Sequence, residues 1–294
     1  MQDFKNKVAV ITGGASGVGR SLAFSLGKRG AKIVVGDVDK DAMQKIEADL
    51  AEADIESVVG FCDVTSRDSL GELAKKAIDK FGGIDLAFAN AGISSGESGA
   101  MWDYSEKDWQ WCFNVNLWGV VNTISVLVPH LLARDGQTHF IVTGSGNGGL
   151  IVLPDQPIYT ASKAAVQAVT ENLHNQMLAG ETNVTVSALF PGPHVVETGL
   201  FNSGRVRPEE FQKGDGNVNS TGITSVDDLR AMCAEYGIDL KSTHPDEVAE
   251  MAVEGIEKDQ FWLLKTTPES EAAIKRRADN VLNRITPVPE QLGS

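Results

Sequence analysis

The N-terminal thirty residues restrict the fold more than any other part of the chain. A short β-branched run, Lys7 to Ile11, leads into Thr12-Gly13-Gly14-Ala15-Ser16-Gly17-Val18-Gly19, after which Leu22, Ala23, Leu26 and Gly27 recur at helical spacing. A strand, a glycine-rich turn and a helix start bring backbone N–H groups and the positive end of a helix to one point, a geometry that receives a pyrophosphate. Glycine is needed where phosphates approach the backbone and where the helix packs on the strand. The contact candidates in this turn are Gly13, Ser16, Gly17, Val18 and Gly19. Their spacing is Gly-x-x-x-Gly-x-Gly rather than the common Gly-x-Gly-x-x-Gly fingerprint.

Beyond this turn, apolar strand patterns alternate with helical ones as far as Phe190, which predicts an α/β fold: a doubly wound, Rossmann-like parallel sheet with helices on both faces. Seven strands in the order 3-2-1-4-5-6-7 are expected, the last at Phe261 to Lys265 after a helix from Pro245 to Lys258. No low-complexity stretch or long linker divides the 294 residues, so one catalytic domain is expected over 1–294. Ligands of such sheets bind beyond the C-terminal strand ends, where Gly13, Asp37, Asp63, Asn90, Ser145 and Pro191 fall.

The second strand, Ala31 to Gly36, ends at Asp37, eighteen residues after Gly19. A carboxylate at about this distance accepts hydrogen bonds from the adenosine ribose hydroxyls. Its charge repels a 2′-phosphate, and neither Val38 nor Gly14-Ala15-Ser16 supplies a compensating base, so NAD is preferred to NADP. Arg20 is the nearby base that could weaken this preference.

Tyr159 and Lys163 lie four residues apart, fourteen and eighteen residues after Ser145. Four residues is just over one helical turn, so phenol and ammonium share a helix face. A free tyrosine, with pKa about 10, is a poor proton shuttle at neutral pH, and a neighbouring cation favours the phenolate.

With these residues in view, the chain resembles the short-chain dehydrogenase/reductase family over most of its length. The resemblance is carried by Thr12 to Gly19, Asn90-Ala91-Gly92, Asn116, Ser145, Tyr159-x-x-x-Lys163 and Pro191-Gly192. It implies a catalytic tetrad of Asn116, Ser145, Tyr159 and Lys163. Asn114 competes for the asparagine role, and Asn116 is preferred because Leu117-Trp118-Gly119 follows it. In this pattern Tyr159 exchanges a proton with the substrate oxygen while hydride moves between carbinol carbon and nicotinamide. Ser145 bonds the same oxygen, Lys163 tunes Tyr159 and binds the nicotinamide ribose, and Asn116 holds a water linking Lys163 to solvent. The likeness also implies adenine contacts from Asp63 and Val64, and a ribose border from Asn90, Ala91 and Gly92 at the end of the strand Asp85 to Ala89. Pro191 and Gly192 would meet the nicotinamide, with carboxamide contacts from Val195 and Thr198. The family's Pro-Gly-x-x-x-Thr is two residues longer here, Pro191 to Thr198, which leaves the register open, and His194 within it is either a site residue or incidental.

The formal net charge of −14 disfavours nucleic acid and anionic membranes as partners. Cys62, Cys112 and Cys233 are widely spaced and odd in number, and the five histidines do not cluster, so neither a disulfide framework nor a metal site is expected. No apolar run reaches the roughly 18 residues needed to span a bilayer, and a cytoplasmic enzyme is expected. The apolar stretch Glu106 to Ala133, with Trp109, Trp111, Phe113, Leu117, Trp118, Val121, Ile124, Leu127 and Leu131, reads as a helix packed on the sheet. The family resemblance adds a subunit contact through it and the Tyr159 helix, hence a homodimer or homotetramer.

By the same resemblance, residues 199–243 form the lid over a small-molecule alcohol or ketone, followed by a C-terminal extension over 266–294. Within the lid, short helices are expected at Arg207 to Gln212 and Ser225 to Tyr236. Leu200, Phe201, Phe211 and Met232 on one side and Ile151, Val152, Leu153 and Ile158 on the other suggest an apolar pocket for a secondary alcohol with an aryl, alicyclic or steroid-like body. Other chemistry on this scaffold, an epimerase, dehydratase or dehalogenase, is an alternative, as is a non-catalytic nucleotide-binding regulator. The intact tetrad argues against the regulator.

Overall fold

Strands and helices alternate along the chain because apolar residues at period two and at period 3.6 alternate in the sequence. In this computed structural model, which describes residues 1, 3–96, 99–212 and 222–288, nine strands are formed: β1 Val8–Thr12, β2 Lys32–Asp37, β3 Ser57–Phe61, β4 Leu86–Ala89, β5 Thr138–Thr143, β6 Val184–Leu189, β7 Val195–Val196, β8 Ser242–Thr243 and β9 Trp262–Leu263. The helices are α1 Gly17–Lys28, α2 Lys40–Glu52, α3 Arg67–Phe81, α4 Glu106–Phe113, α5 Gly119–Leu132, the kinked turn α6 Gly146–Gly149, α7 Pro157–Ala179, α8 Val226–Glu235, α9 Pro245–Glu257 and α10 Pro268–Asn283. Seven strands pair in parallel in the order β3-β2-β1-β4-β5-β6-β9. This is the expected Rossmann-like order, with β9 as its seventh strand. The chain numbering differs because β7 and β8 form a separate parallel pair.

Side-chain alternation along each strand builds two cores. Ala9 and Ile11 of β1 and Ile33 and Val35 of β2 face one side with Leu22, Leu26, Val248 and Ile256 of α1 and α9. Val8, Val10 and Val34 face the other, with Leu70 and Leu73 of α3, Leu127 and Leu131 of α5, and Val166 and Leu173 of α7. The helices start where side chains can satisfy their first N–H groups: Asp39 accepts from Ala42, Ser66 from Ser69, and His244 and Glu247 form a capping box on α9.

The stretch from 106 to 132 is continuous but not uniform. A π-helical turn, Asn114–Trp118, joins α4 to α5. Of the expected core residues, Trp111, Leu127 and Leu131 are buried, whereas Trp118 faces solvent. By length and composition alone, Glu106–Leu132 would also suffice to cross a bilayer, which qualifies the expectation drawn from unbroken apolar runs; its buried face packs on the sheet and on α3 and α7.

After β6, residues 199–212 fold into two 3-10 segments, Gly199–Val206 and Glu209–Phe211, so the expected helix at Arg207 to Gln212 is a single tight turn, whereas α8 appears where Ser225 to Tyr236 was expected. Residues 213–221 of the expected lid and 289–294 of the expected extension lie outside the described residues. In α10 only Ala273 is buried, and Val281 and Leu282 face solvent.

His139 of β5 is fully buried between strands. Ser187 donates to the Gln260 carbonyl at 2.6 Å, so its oxygen receives the His139 Nε2–H at 2.7 Å, and the ring is the neutral Nε2–H tautomer. Nδ1 has no partner among the described residues. Burial, reinforced by the Met1 ammonium and opposed by Asp259, pushes the imidazole down to about 3. An unfolded histidine binds its proton near pH 6.5, so stability from this residue should fall as pH drops from about 6.5 toward 3, by about 2 kcal/mol at pH 5. Denaturant unfolding of wild type and His139→Gln at pH 7 and pH 5 checks this. The wild type should lose more than the variant, and equal losses would refute the assignment.

Candidate active site

The C-terminal ends of β1, β2, β4, β5 and β6 open on a cleft of about 740 Å³, lined at one end by Gly13, Ser16, Gly17, Val18, Asp37, Asp63 and Val64 and at the other by Ser145, Tyr159 and Lys163. Its floor at the glycine turn is held by hydrogen bonds among three strand ends. Thr12 Oγ1 donates to the Phe88 carbonyl at 3.0 Å and accepts from the N–H groups of Asn90 and Ala91 at 3.0 and 3.2 Å. Asn90 Nδ2 donates to the Thr12 and Gly13 carbonyls, each at 3.1 Å, and Asn90 Oδ1 accepts from Thr143 at 3.0 Å. Asn90 therefore borders the cleft with its side chain already engaged as a brace.

The turn is as tight as the glycines foretell. Gly13 has φ +61°, and a Cβ there would lie 2.7 Å from Ala91 Cα. Gly19 does not line the cleft; it sits behind it, where α1 meets the turn. Asp37 closes the cleft beside the glycine turn. Its Oδ2 accepts from Ala15 N–H at 3.0 Å, and its Oδ1 from the N–H groups of Val38 and Asp39 at 2.8 and 3.1 Å. A carboxylate offers about four acceptor positions, so one remains beyond these three N–H groups. Asp63 Oδ1 accepts from the Thr65 N–H and hydroxyl at 2.9 and 2.8 Å. Beside it, burial pushes the Cys62 thiol up to about 12, with the charges of Asp63 and Asp37 adding, so it is an inert wall.

At the other end, α7 presents Tyr159 and Lys163 to the cleft on one face, as the four-residue spacing requires. Lys163 Nζ lies 5.8 Å from the Tyr159 ring centroid and donates to the Thr143 carbonyl at 2.9 Å. Burial lowers the Lys163 ammonium to about 8, so it is mostly charged at neutral pH and loses its charge as pH rises through that value. Ser145 follows β5 in extended backbone, half-buried and facing the cleft.

Asn116 stands apart from the other tetrad candidates. Its side chain is fully buried and does not line the cleft. Oδ1 accepts from Ile93 N–H at 2.8 Å, and Nδ2 donates to the Ile93 carbonyl and Ser162 Oγ, each at 3.0 Å. The side chain thus ties the loop after β4 to α7, which leaves only its backbone for any water relay. Asn114, the competing residue, does line the cleft.

In the loop after β6, Pro191, Val195 and Thr198 line the cleft, while Gly192 does not. This loop closes onto the glycine turn: a Cβ at Gly17 would lie 3.0 Å from Thr198 Cγ2. His194 also borders the cleft, its backbone N–H donating to Thr243 Oγ1 at 3.2 Å. Leu200, Phe201, Phe211, Ile151 and Leu153 line the cleft as expected, together with Ile93 and Trp111. Met232, Val152 and Ile158 do not: Met232 and Val152 face solvent, and Ile158 is in the core. One contact that sequence reasoning missed is Arg205, whose Nε donates to Asp39 at 3.0 Å, two residues beyond Asp37. A separation of 166 residues leaves no local pattern to announce it.

A family model described as short chain dehydrogenase matches residues 7–206. The CLA biosynthesis dehydrogenase/reductase of Lactiplantibacillus plantarum is 28% identical over 289 residues, 98% of this chain and 97% of that protein. The C alpha-dehydrogenase of a Sphingobium species is likewise 28% identical over 289 residues, 98% of this chain and 89% of that protein. Among solved structures, a short chain dehydrogenase/reductase from Burkholderia phymatum in complex with NAD aligns with a TM-score of 0.87 and 32% identity, covering 99% of this chain and all of that one.

Proposed function

The chain belongs to the short-chain dehydrogenase family, an NAD(P)-dependent oxidoreductase family, and from that premise we propose that it uses NAD to interconvert a secondary alcohol and its ketone, the substrate having an apolar aryl, alicyclic or steroid-like body. The observation that carries this reading is the convergence of Tyr159, Lys163 and Ser145 on one end of a cleft whose other end is closed by Asp37.

Hydride acceptance is the chemistry that NAD supplies when bound. The glycine turn fits its pyrophosphate, since it is packed so tightly that Cβ atoms at Gly13 and Gly19 would clash with Ala91 and with Gly13, Gly14 and Asn90. Asp37 would take a ribose hydroxyl and repel a 2′-phosphate. Arg205 does not reverse this argument, because Asp39 already engages it. Asp63 and Val64 would flank the adenine, Asn90, Ala91 and Gly92 the ribose, and Pro191, Val195 and Thr198 the nicotinamide. Gly192 would act only as part of the turn.

On the substrate side, Tyr159 would remove the hydroxyl proton of the alcohol, as hydride leaves the carbinol carbon for the nicotinamide, while Ser145 holds the same oxygen. Lys163, kept cationic at neutral pH, would favour the tyrosinate. Asn116 would act by fixing the loop after β4 against α7. The name of the Sphingobium relative, C alpha-dehydrogenase, is consistent with carbinol oxidation. We further propose a cytoplasmic homodimer or homotetramer, with the exposed Trp118 on a contact face between subunits.

Reduction of NAD and of NADP at equal concentration, followed by absorbance over secondary alcohols from small aliphatic to benzylic and steroidal, tests the reading. Turnover should be best with NAD and an aryl or alicyclic substrate. A clear NADP preference would refute the Asp37 argument, and no turnover with any alcohol would refute the reaction.

A further inference from the structure

Residues 199–212 are fastened to the rest of the molecule by two arginines two positions apart, and the two fastenings differ in kind. Arg205 reaches the cofactor half. Its Nε donates to Asp39 at 3.0 Å, and its Nη1 donates to the carbonyls of Gly199 and Asn202, with the Arg205 and Asp39 side chains 33% and 19% exposed. Arg207 turns the other way, toward α4. Its Nη2 donates to Asp108 Oδ1 at 2.7 Å, and the two side chains are only 5% and 3% exposed. The other oxygen of Asp108 accepts from Ser105 Oγ at 2.7 Å.

The same guanidinium makes two further contacts. Nε donates to the Phe211 carbonyl at 2.6 Å, and the group lies 4.7 Å from the centroid of the Trp111 ring. Arg207 does not face the cleft, but Trp111 and Phe211 both line it. A planar guanidinium can stack on an indole and hydrogen-bond in its own plane at the same time, which an ammonium cannot. Burying such a pair is a poor source of net stability, since desolvation offsets most of the attraction, but it fixes geometry strongly.

We propose that Arg207 is a positioning residue that sets the aromatic wall of the substrate half of the cleft, acting through Trp111 and Phe211, independently of the Arg205 fastening over the cofactor half. The proposal rests on the alcohol dehydrogenase reading for its kinetic consequence, but not for its structural one.

Three variants separate the possibilities. Arg207→Ala would strand the buried Asp108 charge and endanger folding, so both charges are removed together in the double variant Arg207→Met with Asp108→Asn. Arg207→Lys keeps the charge but not the planar contacts, and Arg205→Ala serves as the contrast. With the best aryl alcohol of the panel, the double variant should raise the alcohol KM by roughly tenfold or more while the NADH Kd changes less than about twofold, and Arg207→Lys should not restore the KM. Arg205→Ala should show the reverse, with weaker NADH binding and an unchanged alcohol KM. A merely structural defect would instead lower kcat through loss of active protein and leave KM unchanged, and that outcome would overturn the proposal.

Amide hydrogen exchange of the cofactor-free protein gives a readout that needs no turnover. Exchange should quicken over 105–113 and 207–212 in the double variant and not in Arg205→Ala. Unchanged exchange there would overturn the proposal, even for an enzyme that oxidised none of the alcohols, a result that would by itself count only against the dehydrogenase reading.

Discussion

Tyr159→Phe should reduce alcohol oxidation by roughly 10²- to 10⁴-fold, the range lost when a positioned general acid–base group is removed, while NADH binding changes less than about twofold. The change is confined to one hydroxyl. The ring is mostly buried on α7, and phenylalanine keeps its volume and packing, so the helix and Lys163 stay in place. Lys163 retains its bond to the Thr143 carbonyl, which does not involve the phenol. Steady-state turnover combined with a fluorescence titration of NADH distinguishes lost chemistry from lost binding. Turnover near the wild-type rate would exclude Tyr159 as the proton-transfer group and move attention to Ser145.

The second large effect is expected at Gly19, where two physical arguments have opposite signs. Alanine is favoured over glycine within a helix by about 1 kcal/mol, and Gly19 lies inside the first turn of α1. A Cβ there, however, would stand 2.3 Å from the Gly13 carbonyl oxygen, 2.6 Å from Asn90 Nδ2 and 2.9 Å from Gly14 Cα. None of these neighbours can yield cheaply: two are backbone, and Asn90 Nδ2 is held by the Thr12 and Gly13 carbonyls. Contacts this short cost far more than helix propensity returns, so packing decides the sign. Gly19→Ala should weaken NADH binding by roughly a hundredfold or more and lower Tm, because helix and turn must separate where the phosphates would sit. Gly71, inside α3 with nothing within 4 Å of a Cβ, is the matched control. Gly71→Ala should stabilise by up to about 1 kcal/mol and leave cofactor affinity unchanged. Similar behaviour of the two variants in titration and melting would refute the close-packing argument.

Local pattern made much of this fold legible. The β-branched run before the glycine turn becomes β1, displaced one residue from Lys7 to Ile11, because Lys7 N–H bonds to Phe4 in a turn and pairing with β2 begins at Val8. The strand expected at Asp85 to Ala89 forms as Leu86–Ala89, while the one expected at Phe261 to Lys265 shrinks to Trp262–Leu263, an edge strand paired with β6. Much of the candidate site was legible for the same reason. Tyr159 and Lys163 share a helix face by spacing, and Asp37 ends a strand.

What sequence did not announce depends on contacts between distant segments or on departures from regular geometry. The π-helical turn at Asn114–Trp118 has no periodic signature, yet within it Asn116 points into the interior while Asn114 borders the cleft. The Arg207–Asp108 pair spans 99 residues of chain, and only the folded molecule brings them together. The family resemblance implies a nicotinamide contact from Gly192, but of the Pro191-Gly192 pair only Pro191 lines the cleft.

The bonding of Thr12, Asn90 and Thr143 has a consequence for how this molecule can change over generations. Three strand ends share one asparagine, so replacing any member leaves the others with unmet partners, and substitutions there will be strongly non-additive. A lineage can alter that floor only by concerted change. The segment above it is tied by two ion pairs that share no residue, one to Asp39 and one to Asp108. Each pair can be exchanged without disturbing the other, so the aromatic wall held through Asp108 can diverge, by paired replacement, while the floor beneath it stays nearly frozen.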